Sequence, residues 1–170
     1  MELYPERSDQ FENLLYRMQE AYHARKPNLK KFDESRVKNT DWYKKSDLLG
    51  MMLYTDAFAE NLNGVKKRLD YIESCHVNYL HLMPLLASPE GRSDGGYAVA
   101  DFRSVQPQLG TMKDLESLTG ACHRRNICVC LDFVMNHTSE DHEWQNVPDK
   151  VNGNIWTVIT FTIIMSFRQN

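Results

Sequence analysis

Two polar clusters that could do chemistry follow apolar, strand-like runs in this sequence of 170 residues. The first spans residues 93–97 and contains Asp94 and Tyr97. The second spans residues 132–139 and contains Asp132, Asn136 and His137. In parallel α/β sheets the carboxyl ends of the strands carry the chemistry. Both clusters are therefore candidates for a single functional site.

The first cluster offers a carboxylate and an aromatic ring held close together by two glycines, which permit unusual backbone angles. A flat ring beside a hydrogen-bonding carboxylate suits a pyranose, whose C–H faces pack on aromatics while its hydroxyls need polar partners. Asp94 and Tyr97 are therefore candidate sugar-binding residues. A simple Asp-Gly turn with a packed tyrosine fits the same spacing, so that alternative stays open.

The second cluster offers a histidine, His137, that could donate a hydrogen bond to a substrate hydroxyl. Asp132 lies inside the apolar strand, which favours an orienting hydrogen bond over work as a general base. Asn136 is a second supporting candidate, and a purely structural Asp–His pair fits this spacing equally well. His142 and Glu143 follow without a recognisable metal-ligand spacing, so we expect no metal and no cofactor.

Composition restricts the class of protein. The chain is 42% hydrophobic and 25% charged, with a formal net charge of −3 and a pI near 6.1, which is typical of an ordinary globular protein. This balance argues against nucleic-acid or anionic-membrane partners. The first seven residues lack the pattern of a secretory signal, so we expect a cytoplasmic protein. The four cysteines lack CxxC spacing and are interpreted as structural thiols: Cys75, Cys122, Cys128 and Cys130. Cys128 and Cys130 lie two apart in an apolar run, so we expect both to be small buried hydrophobes on one face of a strand.

The order of predicted elements indicates a parallel sheet. An amphipathic helix and a second, more polar helix open the chain. Strands then alternate with helices, which predicts an α/β fold with right-handed crossovers. The first strand reads as buried on both faces, and a loop of about 25 residues follows the second, long enough to be functional. The expected helices are 8–23, 29–38, 63–75 and 111–125, and the expected strands are 48–54, 78–83 and 127–134.

Four ordered motifs carry a family resemblance. They lie at residues 54–59, 79–85, 88–97 and 132–139. Together they resemble the α-amylase superfamily, glycoside hydrolase family 13, and within it amylosucrase and related sucrose-active enzymes. The resemblance includes the helical module at residues 1–47, which is similar to the all-helical domain preceding the barrel in amylosucrases.

The resemblance implies a TIM (β/α)₈ barrel and a retaining mechanism on sucrose or an α-glucan. By position, Tyr97 would stack on the glucosyl ring, Asp94 would pair with an arginine at the pocket base, and His137 would bind the primary hydroxyl. In that family the catalytic carboxylates lie on the fourth, fifth and seventh strands. A complete barrel takes about 250 residues, and residues 48–153 are long enough for three strands only, so these carboxylates are not expected in this chain.

We therefore expect a partial barrel that is inactive alone, with no catalytic residue of its own. The alternatives are a non-catalytic sugar-binding or partner-binding remnant, or one half of a split enzyme completed by a C-terminal fragment.

The segment 154–170 differs from its surroundings. Within it, residues 154–167 are apolar and β-branched, and at about 13 residues this stretch falls short of the roughly 20 that span a bilayer. The hypothesis is a frameshift near Asn154, after which the tail is not selected for structure. A genuine short strand is the alternative.

Overall fold

The computed structural model describes residues 8–143. The chain divides into two compact units between Trp42 and Tyr43, so the described parts are 8–42 and 43–143. The domain boundaries expected at 47/48 and 153/154 stay predictions. The tail at 154–170, with its frameshift hypothesis, lies outside the described residues.

The first unit contains the two predicted helices, α1 (Ser8–Ala24) and α2 (Pro27–Lys38). Pro27 occupies the first turn of α2, where its missing N–H costs no hydrogen bond. The Arg25 guanidinium joins the helices through two bonds of 2.5 and 3.0 Å to the Asp33 carboxylate. No helix within residues 8–143 combines the length and apolarity needed to cross a membrane.

The second unit is built on a parallel sheet of three strands in the order β1-β2-β5. These strands are β1 (Gly50–Leu53), β2 (Tyr79–Leu82) and β5 (Cys128–Leu131). Their central residues align as Met52, His81 and Cys130. The parallel strands confirm the α/β prediction.

The connections between these strands contain four helices and a hairpin. The elements are α3 (Thr55–Ala59), α4 (Leu62–Lys67), α5 (Leu69–Ser74), β3 (Leu86–Ala87), β4 (Asp101–Val105) and α6 (Met112–Arg124). The predicted helix 111–125 is confirmed as α6, which begins with a capping box between Thr111 and Asp114.

The hydrophobic core lies on one face of the parallel sheet. Because side chains alternate along a strand, Leu80 and Leu82 point to the same face, and both are fully buried. Helices pack apolar stripes against them, and the largest contributions come from Val65, Leu69, Ile72 and Leu118.

Within residues 43–143, no element covers the opposite face of the sheet. Met52 is 66% exposed there, and Cys128 and Cys130 are only half-buried. The expectation that β1 is buried on both faces, with Cys128 and Cys130 as buried hydrophobes, is therefore wrong. The reason is that α3–α6, the helices of the second unit within the described residues, contribute their buried side chains to a core on one face of the sheet.

Two connections differ from the prediction. The expected helix 63–75 is divided at Arg68, whose backbone N–H caps α4 by bonding to the Gly64 and Val65 carbonyls. The expected long loop contains the β3–β4 hairpin, which is antiparallel with a register shift between Leu86 and Ala87. This pairing gives partners to backbone groups that a bare loop would leave unsatisfied.

His142 makes fold stability depend on pH. The residue is 2% exposed, and the centroid of its ring lies 5.5 Å from that of the Phe102 ring. Burial lowers the His142 pKa below its usual 6.5, against the opposing charges of Glu143 and Asp101. As pH falls, His142 therefore binds a proton in the unfolded chain before it does so in the folded chain. The contribution of neutral, buried His142 to the stability of the fold is complete above pH 6.5 and declines as pH falls toward the lowered pKa of the folded state.

The measurement is urea unfolding at about pH 7.5 and about pH 5.5. The wild-type chain should lose more stability on acidification than His142→Gln, which cannot titrate at this position. Equal losses in both proteins would contradict a role for His142.

Candidate functional site

The candidate site lies at the carboxyl edge of the parallel sheet, where the loop of residues 93–98 approaches the ends of all three strands. Gly96 lies so close to the residues after β2 that a Cβ atom there would be 2.8 Å from Pro84 Cβ. A Cβ atom at Gly95 would be 3.3 Å from the hydroxyl of Tyr54, which follows β1. The loop reaches the third strand end through Asp132, which follows β5.

The backbone of this loop forms a tight turn. Asp94, Gly95 and Gly96 have φ values of 48°, 68° and 93°, a region that favours glycine. The Gly96 N–H donates to the Ser93 carbonyl at 3.0 Å and the Tyr97 N–H donates to the Asp94 carbonyl at 3.3 Å. The turn thereby fixes Asp94 and Tyr97 three residues apart, with Asp94 exposed and Tyr97 half-buried.

Asp132 is the centre of the site's hydrogen bonding. The Tyr97 hydroxyl donates to Asp132 Oδ2 at 2.7 Å, and His81 Nε2 lies 2.8 Å from Asp132 Oδ1. Each carboxylate oxygen therefore has one side-chain partner, and the Asp132 side chain is 23% exposed. This arrangement connects β2, β5 and the loop.

The protonation states of these groups follow from the same contacts. The hydrogen bond to Tyr97 is the main cause that lowers the pKa of Asp132, with His81 adding to it. The bond to Asp132 and burial raise the pKa of Tyr97 from 10.0 to about 12. At neutral pH Asp132 is therefore ionised and Tyr97 is protonated, which makes Tyr97 the donor.

The raised pKa of Tyr97 gives a spectroscopic prediction. The absorbance of tyrosine phenolates is measured against pH in the wild type and in Tyr97→Phe. The difference between the two curves reports Tyr97 alone and should have its midpoint near pH 12. Because the folded pKa exceeds the unfolded value of 10.0, the contact stabilises the fold below pH 10 and this stabilisation is lost as pH rises toward 12.

Asp132→Asn supplies the control, since a neutral amide no longer holds the proton on Tyr97. The midpoint in that variant should move toward 10.0. A wild-type midpoint already at 10 would contradict the bond.

The second polar cluster, residues 132–139, contacts strand β4 and the segment just before it. The Ser139 N–H donates to the Val99 carbonyl at 2.8 Å, and the Phe133 ring stacks on Phe102 with centroids 5.3 Å apart. Arg92, from the loop that carries Tyr97, pairs with Glu140 and Asp141. These contacts hold the segment that follows β5 beside the loop.

The structure brings some predicted residues together and leaves others apart. Tyr97 and Asp132 are directly bonded, and the orienting hydrogen bonds expected at Asp132 run to the loop and the neighbouring strand. Asn136 and His137 are exposed and contact each other, with Nδ2 and Nδ1 3.3 Å apart. Among residues 8–143, no ion pair joins Asp94 to an arginine and no hydrogen bond joins His137 to the first cluster. The sugar-binding roles of these residues stay predictions.

Sequence reasoning missed two members of the site, His81 and Tyr54. A signal for His81 was available, because it is a polar residue between Leu80 and Leu82 in an apolar strand, and such residues are usually hydrogen-bonded. For Tyr54 the sequence holds no comparable signal. In the part of the chain that the structure describes, no group of three or more histidine, cysteine or carboxylate side chains could hold a metal ion.

Comparisons with known proteins show the family to which the chain belongs. Residues 13–154 match the family model of the α-amylase catalytic domain. Over 64% of this chain, the sequence is 35% identical to trehalose-6-phosphate hydrolase of Bacillus subtilis. Over 69% of this chain, it is 39% identical to trehalose synthase/amylase TreS of Mycolicibacterium smegmatis. It covers 20% and 21% of these two relatives, so it spans about a fifth of their length.

A solved structure gives the same result at the level of the fold. Trehalulose synthase MutB from Pseudomonas mesoacidophila is 28% identical and superposes with a TM-score of 0.55, over 58% of this chain and 18% of that one. A mutant of MutB has been solved in complex with the substrate sucrose. By its family match and its parallel sheet, the chain belongs to the α-amylase family, glycoside hydrolase family 13, and corresponds to part of that family's barrel.

Proposed function

We propose that this chain supplies the glucosyl-binding part of the active site of a retaining glycoside hydrolase or glucosyltransferase. The observation that carries the proposal is the bonded pair of Tyr97 and Asp132 at the carboxyl edge of the sheet, beside the exposed carboxylate of Asp94. In barrels of this kind the carboxyl edge is where substrates bind.

The side chains at this edge offer what a pyranose needs. The Tyr97 hydroxyl is engaged by Asp132, which leaves the ring as an apolar surface for the C–H face of a sugar. Asp94 can accept hydrogen bonds from sugar hydroxyls, and His137 and Asn136, both exposed after β5, can donate to them.

The relatives' names support the choice of substrate class. These name trehalose-6-phosphate and trehalose, and one MutB structure holds sucrose. Trehalose and sucrose share an α-linked glucosyl unit. We propose that this chain recognises that unit, with sucrose, the substrate of amylosucrase-like enzymes, as the first candidate and α-glucans as the second.

On their own, the 170 residues are proposed to bind sugar without turning it over. The α-amylase family places its nucleophile and acid/base on later barrel strands, whereas β1, β2 and β5 account for three strands. A split enzyme is the second candidate, because the uncovered sheet face around Met52 and Cys130 would be covered by further barrel strands.

Saturation-transfer NMR on the purified chain tests the proposal. Sucrose and trehalose should give saturable signals with dissociation constants in the millimolar range, while cellobiose, a β-linked control, should not. No glucose or fructose should be released from sucrose. Equal signals for α- and β-linked sugars would contradict recognition of an α-glucosyl unit, and sugar release would contradict the inactive assignment.

Co-expression separates the split enzyme from a binding remnant. A C-terminal barrel fragment of trehalose-6-phosphate hydrolase, lacking the fifth of that protein to which this chain corresponds, serves as the probe. Restored glucoside hydrolysis would support complementation, and a complex without hydrolysis would support binding alone.

A further inference from the structure

His81 occupies an unusual position for a polar residue. It lies in the middle of β2, between two fully buried leucines that point to the core face. Its own side chain points to the opposite, uncovered face, where its register neighbours are Met52 and Cys130. Neither Met52 nor Cys130 is a strong hydrogen-bonding group. The hydrogen-bond partner of the His81 side chain is Asp132, which follows β5 on the same face of the sheet.

The contact between His81 and Asp132 is well placed. His81 Nε2 lies 2.8 Å from Asp132 Oδ1, and the two side chains are 27% and 23% exposed. The Asp132 N–H also donates to the Leu82 carbonyl at 3.4 Å, so the backbone of Asp132 continues the β2–β5 pairing. Partial burial reduces competition from water and makes such a bond more effective than one at the surface.

We propose that His81 is a positioning residue for sugar binding: its Nε2–H fixes the Asp132 carboxylate, which in turn holds the Tyr97 ring in the orientation that receives the glucosyl unit. The consequence for sugar rests on the proposed function, whereas the effect on Tyr97 does not. A carboxylate held through both oxygens cannot rotate freely, and the Tyr97 hydroxyl follows the oxygen that accepts it.

We call the contacts that run from His81 through Asp132 to Tyr97 the relay. The relay requires a hydrogen-bond donor at residue 81. Because Oδ1 of an ionised carboxylate is an acceptor, His81 must carry its proton on Nε2. Glutamine can place an amide N–H near the same point, whereas leucine fills similar space without a donor. The pair His81→Gln and His81→Leu therefore separates the hydrogen bond from packing.

Fluorine NMR on the full chain labelled with 3-fluorotyrosine tests the relay. The Tyr97 signal is identified by its absence in Tyr97→Phe. In His81→Leu this signal should shift or broaden, and the dissociation constant for sucrose should rise about fivefold or more. In His81→Gln the signal and the affinity should return close to the wild-type values. Met52→Leu, on the same sheet face, is the matched control and should change neither.

The outcomes separate the relay from the proposed function. An unchanged Tyr97 signal in folded His81→Leu would overturn the positioning role, and so would His81→Gln behaving like His81→Leu. If the wild-type chain does not bind sucrose, the proposed function fails, while the fluorine signal still decides whether His81 orders Tyr97.

Discussion

Tyr97→Ala should weaken sucrose binding by the chain at least tenfold, which corresponds to about 1.4 kcal/mol. The change removes the aromatic surface on which a sugar would stack. It also leaves the partly buried Asp132 carboxylate with His81 as its one remaining side-chain partner among the described residues. Isothermal titration or saturation-transfer NMR with sucrose measures the effect.

Tyr97→Phe divides this loss into two parts. Phenylalanine keeps the ring but not the hydroxyl bonded to Asp132, so its affinity should fall between those of the wild type and Tyr97→Ala. Tyr71→Ala is the control, since Tyr71 lies on α5 and is 57% exposed. If Tyr97→Ala binds sucrose as well as the control does, Tyr97 is not part of the sugar site.

Gly64→Ala should destabilise the second unit by about 3 kcal/mol or more, although alanine normally favours a helix. A Cβ atom at Gly64 would lie 1.9 Å from the Ala59 carbonyl oxygen. That oxygen also accepts the Asn61 N–H at 2.8 Å, and the Asn61 side chain caps α4 by accepting from the Gly64 N–H. The backbone between α3 and α4 must therefore move to admit the methyl group.

Gly120→Ala is the matched control, because Gly120 is also a helical glycine. A Cβ atom there would have Arg124 Nη1 as its nearest neighbour, at 3.7 Å, which is an ordinary contact. This variant should be neutral or more stable by up to about 1 kcal/mol. Urea unfolding compares the two variants, and a Gly64→Ala protein as stable as Gly120→Ala would contradict the packing described between α3 and α4.

Local signals explain which elements could be predicted from the sequence. The apolar spacing of Leu115 and Leu118 predicts helix α6. The capping box between Thr111 and Asp114, found in the structure, is a second local signal at the start of this helix. The β3–β4 hairpin was missed because β3 is two residues long and pairs with a segment about 15 residues later. Such pairing is set by tertiary contacts, which local propensity does not contain.

The candidate site shows the same division. Strand ends in a parallel sheet predict that the clusters around Tyr97 and Asp132 face the same edge, and the two side chains are bonded although they are 35 positions apart. Alternation along β2 could have placed His81 on the face of Asp132. What no pattern supplied was the specific bonding of Asp132 to two partners, which depends on the register of β2 with β5 and on the turn at residues 93–98.

Mapping sucrose binding onto the ¹⁵N-labelled chain shows whether Asp94, Tyr97 and His137 belong to one sugar site. We expect saturable amide shifts concentrated at residues 93–98 and 132–139, with helix α5, which packs on the core face of the sheet, unaffected. Shifts that are absent, or spread over the helices and not concentrated at the carboxyl edge of the sheet, would contradict the account.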